Sequence, residues 1–550
     1  MPDPAGVQAD LAFLGGGVYT VDTTSRWAEA VAVREGRIVA VGPDARIRER
    51  IGPSTRTVDL RGRMLLPGFQ DAHVHAIGAG MDRLTVDLSP AHDIAGYAER
   101  IRAYAHAHPE VEWIRGGGWS MDVFPGGTPT RETLDEIVAD RPVFLSNRDN
   151  HAAWVNSRAL DLAGVDRRTV DPTDGRVERL ADGSPQGTLH EGAMLLVRRH
   201  VPDPGVDQLL DALMDAQAYL HALGITAWQE AIVGAYPTMP DATDAYPALE
   251  AAGRLTARVT GALWWRRDRG PEQIADLVET RARTTGARYR PTTVKIMVDG
   301  IVENRTAAMV DPYSDGGGNG LAYVERSTLI EAVARLDEEG FDVHLHAIGD
   351  RAVRDALDAV AQARDSNGHR GRHHVAHLQV VDPRDTRRFA RAGVTANLQM
   401  LWAADDAAMA TLTVPALGPE RSTWQYPFGS LAASGATLCA GSDWPVSTPD
   451  VLQQIFVGVE RVSPAGYPYG GGTEPFLPHE RITLPQALRA FTMGSAYVNR
   501  LETLTGSIEV GKAADLVVLS ANVFEPGGLA AARPLLTVVD GSPVFEDPTL

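Results

Sequence analysis

Of the 52 basic residues in this 550-residue chain, two are lysines, Lys295 and Lys512, and the rest are arginines. A position that needs only positive charge is served by arginine here, so a retained lysine points to what arginine cannot do. That property is a primary amine, which loses its proton when desolvated and can then act as a nucleophile, a Schiff-base former or an acceptor for carbon dioxide. Lys295 lies in TVKIMVDG (293–300), a β-branched run into an Asp-Gly turn, which places the amine near the end of a strand. Taken alone, the residue reads better as half of a buried ion pair. Lys512, in GSIEVGKAADLVVL (506–519), falls in a turn between two strands and reads as an exposed charge.

A second feature favours chemistry. LLPGFQDAHVH (65–75) is an apolar run ending in His73-Val74-His75. Side chains at i and i+2 of a strand project from the same face, so both imidazoles point one way, as at the start of a metal site. Three further strand-like runs end in similar residues. FDVHLHAIGD (341–350) supplies His344 and His346, HHVAHLQV (373–380) supplies His373, His374 and His377, and ATLCAGSDWP (436–445) supplies Asp443. Histidines, a carboxylate and one exceptional lysine near the ends of several strands are hard to attribute to packing alone.

The elements that must position these residues can be counted. After LLPGFQDAHVH come GITAWQEA (224–231), RVTGALWW (258–265), TVKIMVDG, FDVHLHAIG, HHVAHLQV, GVTANLQM (393–400) and ATLCAGSD, eight strand candidates in all. Helical periodicity fills four of the intervals, at 209–223, 271–283, 327–339 and 351–364. Alternation of this kind predicts an α/β fold, a (β/α)8 barrel, whose chemistry sits at the C-terminal ends of its strands. The candidate ligands fall on strands one, four, five, six and eight, all at that rim.

The motifs PGFQDAHVH, NRDNHAAWVNSRAL (147–160), QGTLHEGA (186–193), VKIMVDGIVENRTAAM (294–309), VHLHAIGDRAV (343–353) and GSDWPV (441–446), with the closing GSIEVGKAADLVVL, resemble the amidohydrolase superfamily. Within it they resemble the family 3 branch that includes N-substituted formamide deformylases, over the chain from about residue 10 to its end. The resemblance implies His73, His75, His346, His377, Lys295 and Asp443 as ligands of two divalent ions. His346 is selected over His344, which lies two residues deeper, and His377 over His373 and His374, which enter the strand. Lys295 matches a position that related enzymes carboxylate with carbon dioxide, the carbamate bridging the two metals.

On this ligand set His73, His75 and Asp443 would hold the more buried ion, and His346 and His377 the more exposed one. The imidazole-rich shell suits Zn2+. A hydroxide bridging the metals would attack a carbonyl, with Asp443 as general base and then acid toward the leaving nitrogen. The implied function is hydrolysis of an amide-type C–N bond, in a formamide, amide or carbamate. Two alternatives stand beside it: a mononuclear zinc deaminase of the same fold, with Lys295 unmodified, and a catalytically silent metal-binding barrel.

Candidate substrate contacts are Trp119 in GGGWS, His151 and Trp154 in DNHAAWVN, Arg305 in ENRTAAM, and Gln399 and Trp402 in NLQMLWAADD. Many relatives carry a proline and then a polar or histidine residue after the glutamine. Met400, Leu401 and Trp402 stand here instead, which suggests an apolar pocket for an aromatic or alkyl N-substituent. Core packing competes for each aromatic. His151, in a polar segment, has no apolar stripe to join, and Arg305 could anchor a substrate carboxylate or pair with Asp299 or Glu303.

Both chain ends alternate apolar and polar positions with frequent turns, so residues 1–66 and 500–550 are expected to build one small β-sandwich beside a barrel spanning 67–499. The long interval after strand one, residues 85–205, contains EWIRGGGW and RPVFLSNRD and is expected to be a subdomain inserted over the barrel mouth. A net charge of −19 disfavours nucleic acid and anionic membranes as partners. Cys439, the single cysteine, excludes an intrachain disulfide and is expected to be buried. The N-terminal MPDPAGVQADLAFLGGG has no basic region before its short apolar patch, and no apolar run reaches membrane length, so a cytoplasmic setting is expected. A homodimer is the superfamily's habit; the sequence itself carries no mark of it.

Overall fold

The computed structural model describes residues 8–24, 26–467, 470 and 472–550, so the first seven residues of the expected 1–66 segment lie outside it. Its centre is an eight-stranded, all-parallel sheet in sequential order. The barrel strands are Phe69–Val74, Ile225–Val233, Arg258–Trp264, Tyr289–Met297, Asp342–Ala347, His374–His377, Thr395–Leu398 and Leu438–Ala440. Each falls within one of the eight runs read from the sequence or extends it by a few residues. The helices Val206–Ala222, Ile274–Thr284, Arg326–Glu338 and Asp350–Asn367 occupy the four expected intervals. Shorter helices at Ala245–Ala251, Thr386–Ala392 and Phe428–Ala433 serve three others; at six or seven residues they are too short to show a clear period.

Strand eight closes on strand one through a short seam. The Asp443 N–H donates to the His73 carbonyl at 2.7 Å, and the His75 N–H to the Trp444 carbonyl at 2.9 Å. The Asn397 amide adds a bond to the Ala72 carbonyl at 3.0 Å. Gly441 permits the approach, since a Cβ there would stand 2.4 Å from the His73 nitrogen. The seam sets the two candidate ligand segments, 73–75 and 443, side by side.

The run 65–75 is divided between two sheets. Met64–Pro67 pairs antiparallel with Leu516–Leu519 in a six-stranded sheet that also holds Gly17–Tyr19, Trp27–Ala28, Pro534–Val539 and Ser542–Glu546. At Gly68, whose N–H donates to the Asp515 carbonyl at 2.8 Å, the chain passes into the barrel. A four-stranded sheet (Arg37–Gly42, Ala30–Arg34, Leu11–Leu14, Arg56–Asp59) faces the six-stranded one across an apolar core of Leu11, Phe13, Val31, Leu65, Val518 and Leu536. Arg258, at the base of barrel strand three, ties the barrel to this layer through Asp515 at 2.8 Å and through Asp540.

After strand one the chain builds a further six-stranded mixed sheet, in the order Gly175–Arg179, Pro185–Glu191, Ala152–Val155, Val143–Asn147, Ile114–Trp119 and Val86–Asp87. Trp119 and Trp154 are wholly buried in its core. Their indole N–H groups donate to the Leu145 carbonyl at 2.9 Å and the Thr130 carbonyl at 2.8 Å. Each ring meets Phe124 edge-on, a packing worth about 0.5–1.5 kcal/mol per pair beyond area. Cys439 is buried in strand eight. Among the described residues, no helix is long and apolar enough to cross a membrane.

Candidate metal centre at the barrel mouth

Cross-strand register explains which polar side chains share a layer. Lys295 on strand four stands opposite His344 on strand five, which stands opposite His374 on strand six. One layer higher, Met297, His346 and Ala376 align, and His377 is paired with Ala347 just above them. His346 therefore stands at the rim and His344 one layer inside, as the i, i+2 alternation of a strand requires.

At the rim, His73 Nε2 lies 3.1 Å and His75 Nε2 2.9 Å from Asp443 Oδ1. His377 Nδ1 lies 3.8 Å from Asp443 Oδ2, and Lys295 Nζ 3.3 Å from His73 Nε2. The His377 ring centroid is 4.8 Å from that of His73 and 4.4 Å from that of His346. All six side chains are buried. Ligand atoms of His73, His377 and Asp443 all fall within 4.8 Å of one another. Both nitrogens of His377 are enclosed without a hydrogen-bond partner, and Asp443 Oδ1 is enclosed between the imidazole nitrogens of His73 and His75. Buried polar atoms left this way cost about 1–3 kcal/mol each, and converging lone pairs repel, so the donor set fits a cation among them.

Electrostatics agree with the geometry. Burial lowers the Lys295 amine to about 7, which keeps a substantial neutral fraction at physiological pH. Burial, with Lys295 beside it, lowers His73 to about 3, so this imidazole is neutral and able to ligate. Burial pushes the Asp443 carboxyl upward, but the imidazoles packed against it, His75 among them with Nε2 at 2.9 Å from Oδ1, hold the group well below the usual carboxylate range.

Two aspartates hold the loops that present these ligands. Asp71 accepts from the His73 N–H at 2.9 Å and the Ser442 hydroxyl at 2.5 Å, locking strand one to the segment before Asp443. Asp299 accepts from the N–H groups of Ala308, Ile348 and Gly349 at 2.8, 3.0 and 2.8 Å, shaping the loop after His346. His377 and Asp443 adopt positive φ values of 78° and 57°, conformations that cost about 1–3 kcal/mol each and need support from their surroundings. For His377 that support is its own N–H, which donates to Gln399 Oε1 at 2.7 Å.

A cavity opens above these ligands. His151 and Trp402 line it, together with Leu401, Met409 and Tyr426 on one side and Tyr236 on another. The Trp402 indole lies parallel to the His377 ring, with centroids 5.2 Å apart. His151 is tethered by Nδ1 to Glu191 at 2.7 Å, and its ring centroid is 5.6 Å from that of His346. Burial works to lower the His151 pKa, and Glu191 overrides it, so the net shift is upward.

The other four candidate contacts take different places. Trp119 and Trp154 are core residues of the inserted sheet, because each indole finds its hydrogen-bond partner there. Arg305 pairs with Asp315 at 2.7 Å, not with the carboxylates of Asp299 or Glu303, and donates to the carbonyls of Val302 at 3.0 Å and Glu303 at 2.9 Å. Gln399 is fully buried and supports His377 from behind. Met400 likewise turns from the cavity to pack against Gly458, whereas Leu401 and Trp402 face it. Glu191 and Asp406 went unread in the sequence, and Glu303 was read there only as a possible partner of Arg305; all three stand at or behind the cavity. Glu191 and Glu303 stand in the motifs QGTLHEGA and VENR, yet nothing in their spacing says which way they face.

Residues 56–545 match the model of the amidohydrolase family. The chain is 31% identical over 556 residues to the Arabidopsis thaliana protein LONG AFTER FAR-RED 3, covering 98% of this chain and 92% of that one. It is 27% identical over 561 residues to the N-substituted formamide deformylase of Arthrobacter pascens, covering 97% of each. Among solved structures, an uncharacterized metal-dependent hydrolase of Pyrococcus furiosus superposes with a TM-score of 0.70 at 27% identity, covering 94% of this chain and all of that one. With the family matched across most of its length, on a barrel carrying histidine, aspartate and lysine at its mouth, this chain belongs to the amidohydrolase family.

Proposed function

We propose that the protein is a metal-dependent hydrolase that cleaves an amide-type C–N bond, in an N-substituted formamide, amide or carbamate, with a fairly apolar N-substituent. The observation that carries this reading is the convergence of buried ligand atoms of His73, His377 and Asp443, with both His377 nitrogens lacking a hydrogen-bond partner, beside an amine that burial lowers to about 7. His73, His75, His346, His377 and Asp443 would hold two divalent ions, Zn2+ by the character of the donors, with Lys295 between them as a carbamate. Bound there, the metals would polarise the substrate carbonyl and lower the pKa of a water toward about 7.

The chain's own groups do the rest. Trp402, Leu401, Met409 and Tyr426 form an apolar wall that binds the N-substituent and excludes water. His151 faces the cavity from the opposite subdomain and orients the polar end of the substrate. Asp443 Oδ1 faces His73 and His75, so Oδ2 is the oxygen placed to take a proton from the attacking water and return it to the leaving nitrogen. The C–N bond breaks with that protonation, giving an amine and an acid: formate from a formamide, or from a carbamate ester a carbonic monoester that falls to carbon dioxide and an alcohol. The Arthrobacter relative's name supports the formamide end of this range.

The test is metal content per chain together with the carbamate carbon signal in the NMR spectrum of the folded protein equilibrated with 13C-labelled bicarbonate, followed by turnover of N-aryl formamides, amides and carbamates. About two zinc equivalents, a carbamate signal that K295M lacks and hydrolysis of one substrate class are the expected result. The alternative is a mononuclear deaminase of the same fold, with Lys295 as a bare amine. One metal, an unmodified lysine and deamination of an aminated heterocycle would replace the proposal with that reading.

A further inference from the structure

We infer that His344, which is not itself a ligand in the proposed centre, is the positioning residue that fixes His73 in the tautomer able to bind metal. The inference rests on the metal-centre reading above. A neutral imidazole has one protonated nitrogen and one lone pair, and something must decide which nitrogen faces the metal.

The deciding contacts form a column of buried side chains down the barrel axis. Gln229 on strand two donates through Nε2 to Asn499 Oδ1 at 2.8 Å, which turns its Oε1 toward the barrel interior as an acceptor. His344 Nδ1 lies 2.6 Å and His374 Nε2 3.0 Å from that oxygen, so both nitrogens carry protons. With Nδ1 protonated, neutral His344 has its lone pair on Nε2, which lies 3.0 Å from His73 Nδ1. His73 Nδ1 is then the donor, and its lone pair is left on Nε2, the atom that faces Asp443. Gln229, His344, His374 and His73 are each at most 1% exposed, so water offers no substitute partner.

Sequence alternation alone would allow His344 a ligand's role, and packing alone would allow it none. The structure assigns a third role, because both ring nitrogens are committed to neighbours within 3.0 Å. Lys295 Nζ, at 3.4 Å from His344 Nε2, is the longer contact and does not displace His73.

The experiment uses the full-length, metal-free protein and its H344L, H344Q and Q229L variants. Zn2+ affinity is read by competition with a chromogenic chelator, and the visible spectrum of the Co2+-loaded protein reports the ligand field. H344L is expected to weaken Zn2+ binding about 10–100-fold and to alter the Co2+ bands. H344Q is expected to stay within about threefold of wild type, because a glutamine oxygen can occupy the position of Nε2 and keep the acceptor. Q229L, which frees the His344 tautomer, should fall between them. A folded H344L, with unchanged metal-free circular dichroism and thermal midpoint, that binds Zn2+ as tightly as wild type overturns the inference and leaves the metal-centre reading standing. Should H344L fail to fold, an unchanged affinity in Q229L overturns it equally. A wild-type protein that takes up no Zn2+ removes the metal-centre reading and the inference together.

Discussion

Replacing Lys295 by methionine should make the metal-free protein more stable while destroying its capacity to form the proposed bridge. The amine is 2% exposed, and burial lowers its pKa from the ordinary 10.5 to about 7. Between these values the unfolded chain binds a proton that the folded chain does not, so wild-type stability rises with pH through that window. At pH 7 the cost of deprotonating the buried amine is about 4 kcal/mol, from about 1.4 kcal/mol per pKa unit less a correction for the half-protonated folded state. Losing the contacts of Nζ with His73 and His344 returns about 1 kcal/mol, leaving a net gain for K295M of about 3 kcal/mol. Methionine is close to lysine in length and volume, so overpacking adds little. The gap is largest below pH 7 and shrinks by about 2 kcal/mol between pH 7 and pH 9. Urea titration of both metal-free proteins at pH 7, 8 and 9, with protein concentration and ionic strength held constant, measures it directly. An equal stability at pH 7, or a gap that does not narrow by pH 9, would show that the folded chain does not hold this amine neutral. The carbamate proposal depends on that neutrality. At pH 7 about half of the Lys295 amines are uncharged, against about 3 in 10,000 for an ordinary lysine, and only the uncharged amine captures carbon dioxide.

Three further outcomes are expected. Asp443→Asn should lower kcat about 10²–10⁴-fold by removing the group proposed to carry the proton, with metal analysis of the same preparation separating that effect from lost metal. Trp402→Ala should raise KM for N-aryl substrates about tenfold, and for N-methyl analogues much less, because the indole that stacks on His377 also forms the apolar wall. Equal effects on both substrates would take Trp402 out of N-substituent recognition. Glu191→Gln should move the limb of the pH–rate profile that belongs to His151 toward lower pH, since Glu191 is what raises that histidine. An unmoved profile would take His151 out of the groups whose ionisation matters.

The sequence by itself determined the barrel. Alternation of β-branched runs with helical periods is local information, and the eight strands, their order and their parallel sense follow from it. It also named the side chains that gather at the mouth, because strand ends are fixed by turns such as VDG, AIGD and GSDWP and residue type is plain in the chain. Tertiary structure decided what spacing cannot carry. His344 and His346 share a strand face, and only the stacking of layers sets one at the rim and the other on Gln229. Trp119, Trp154 and Trp402 are alike as residues, yet two donate to backbone carbonyls of the region that follows strand one, at Leu145 and Thr130, while the third donates to Ser447 and lines the cavity. Arg305 had two plausible partners nearby in sequence and found a third, Asp315, ten residues away. Glu191 becomes visible as the partner of His151 only when two strands of the inserted sheet meet, 40 residues apart in the chain. Chemistry of this kind depends on which atoms approach across distant segments, and local propensity says where a strand ends but not what will stand opposite it.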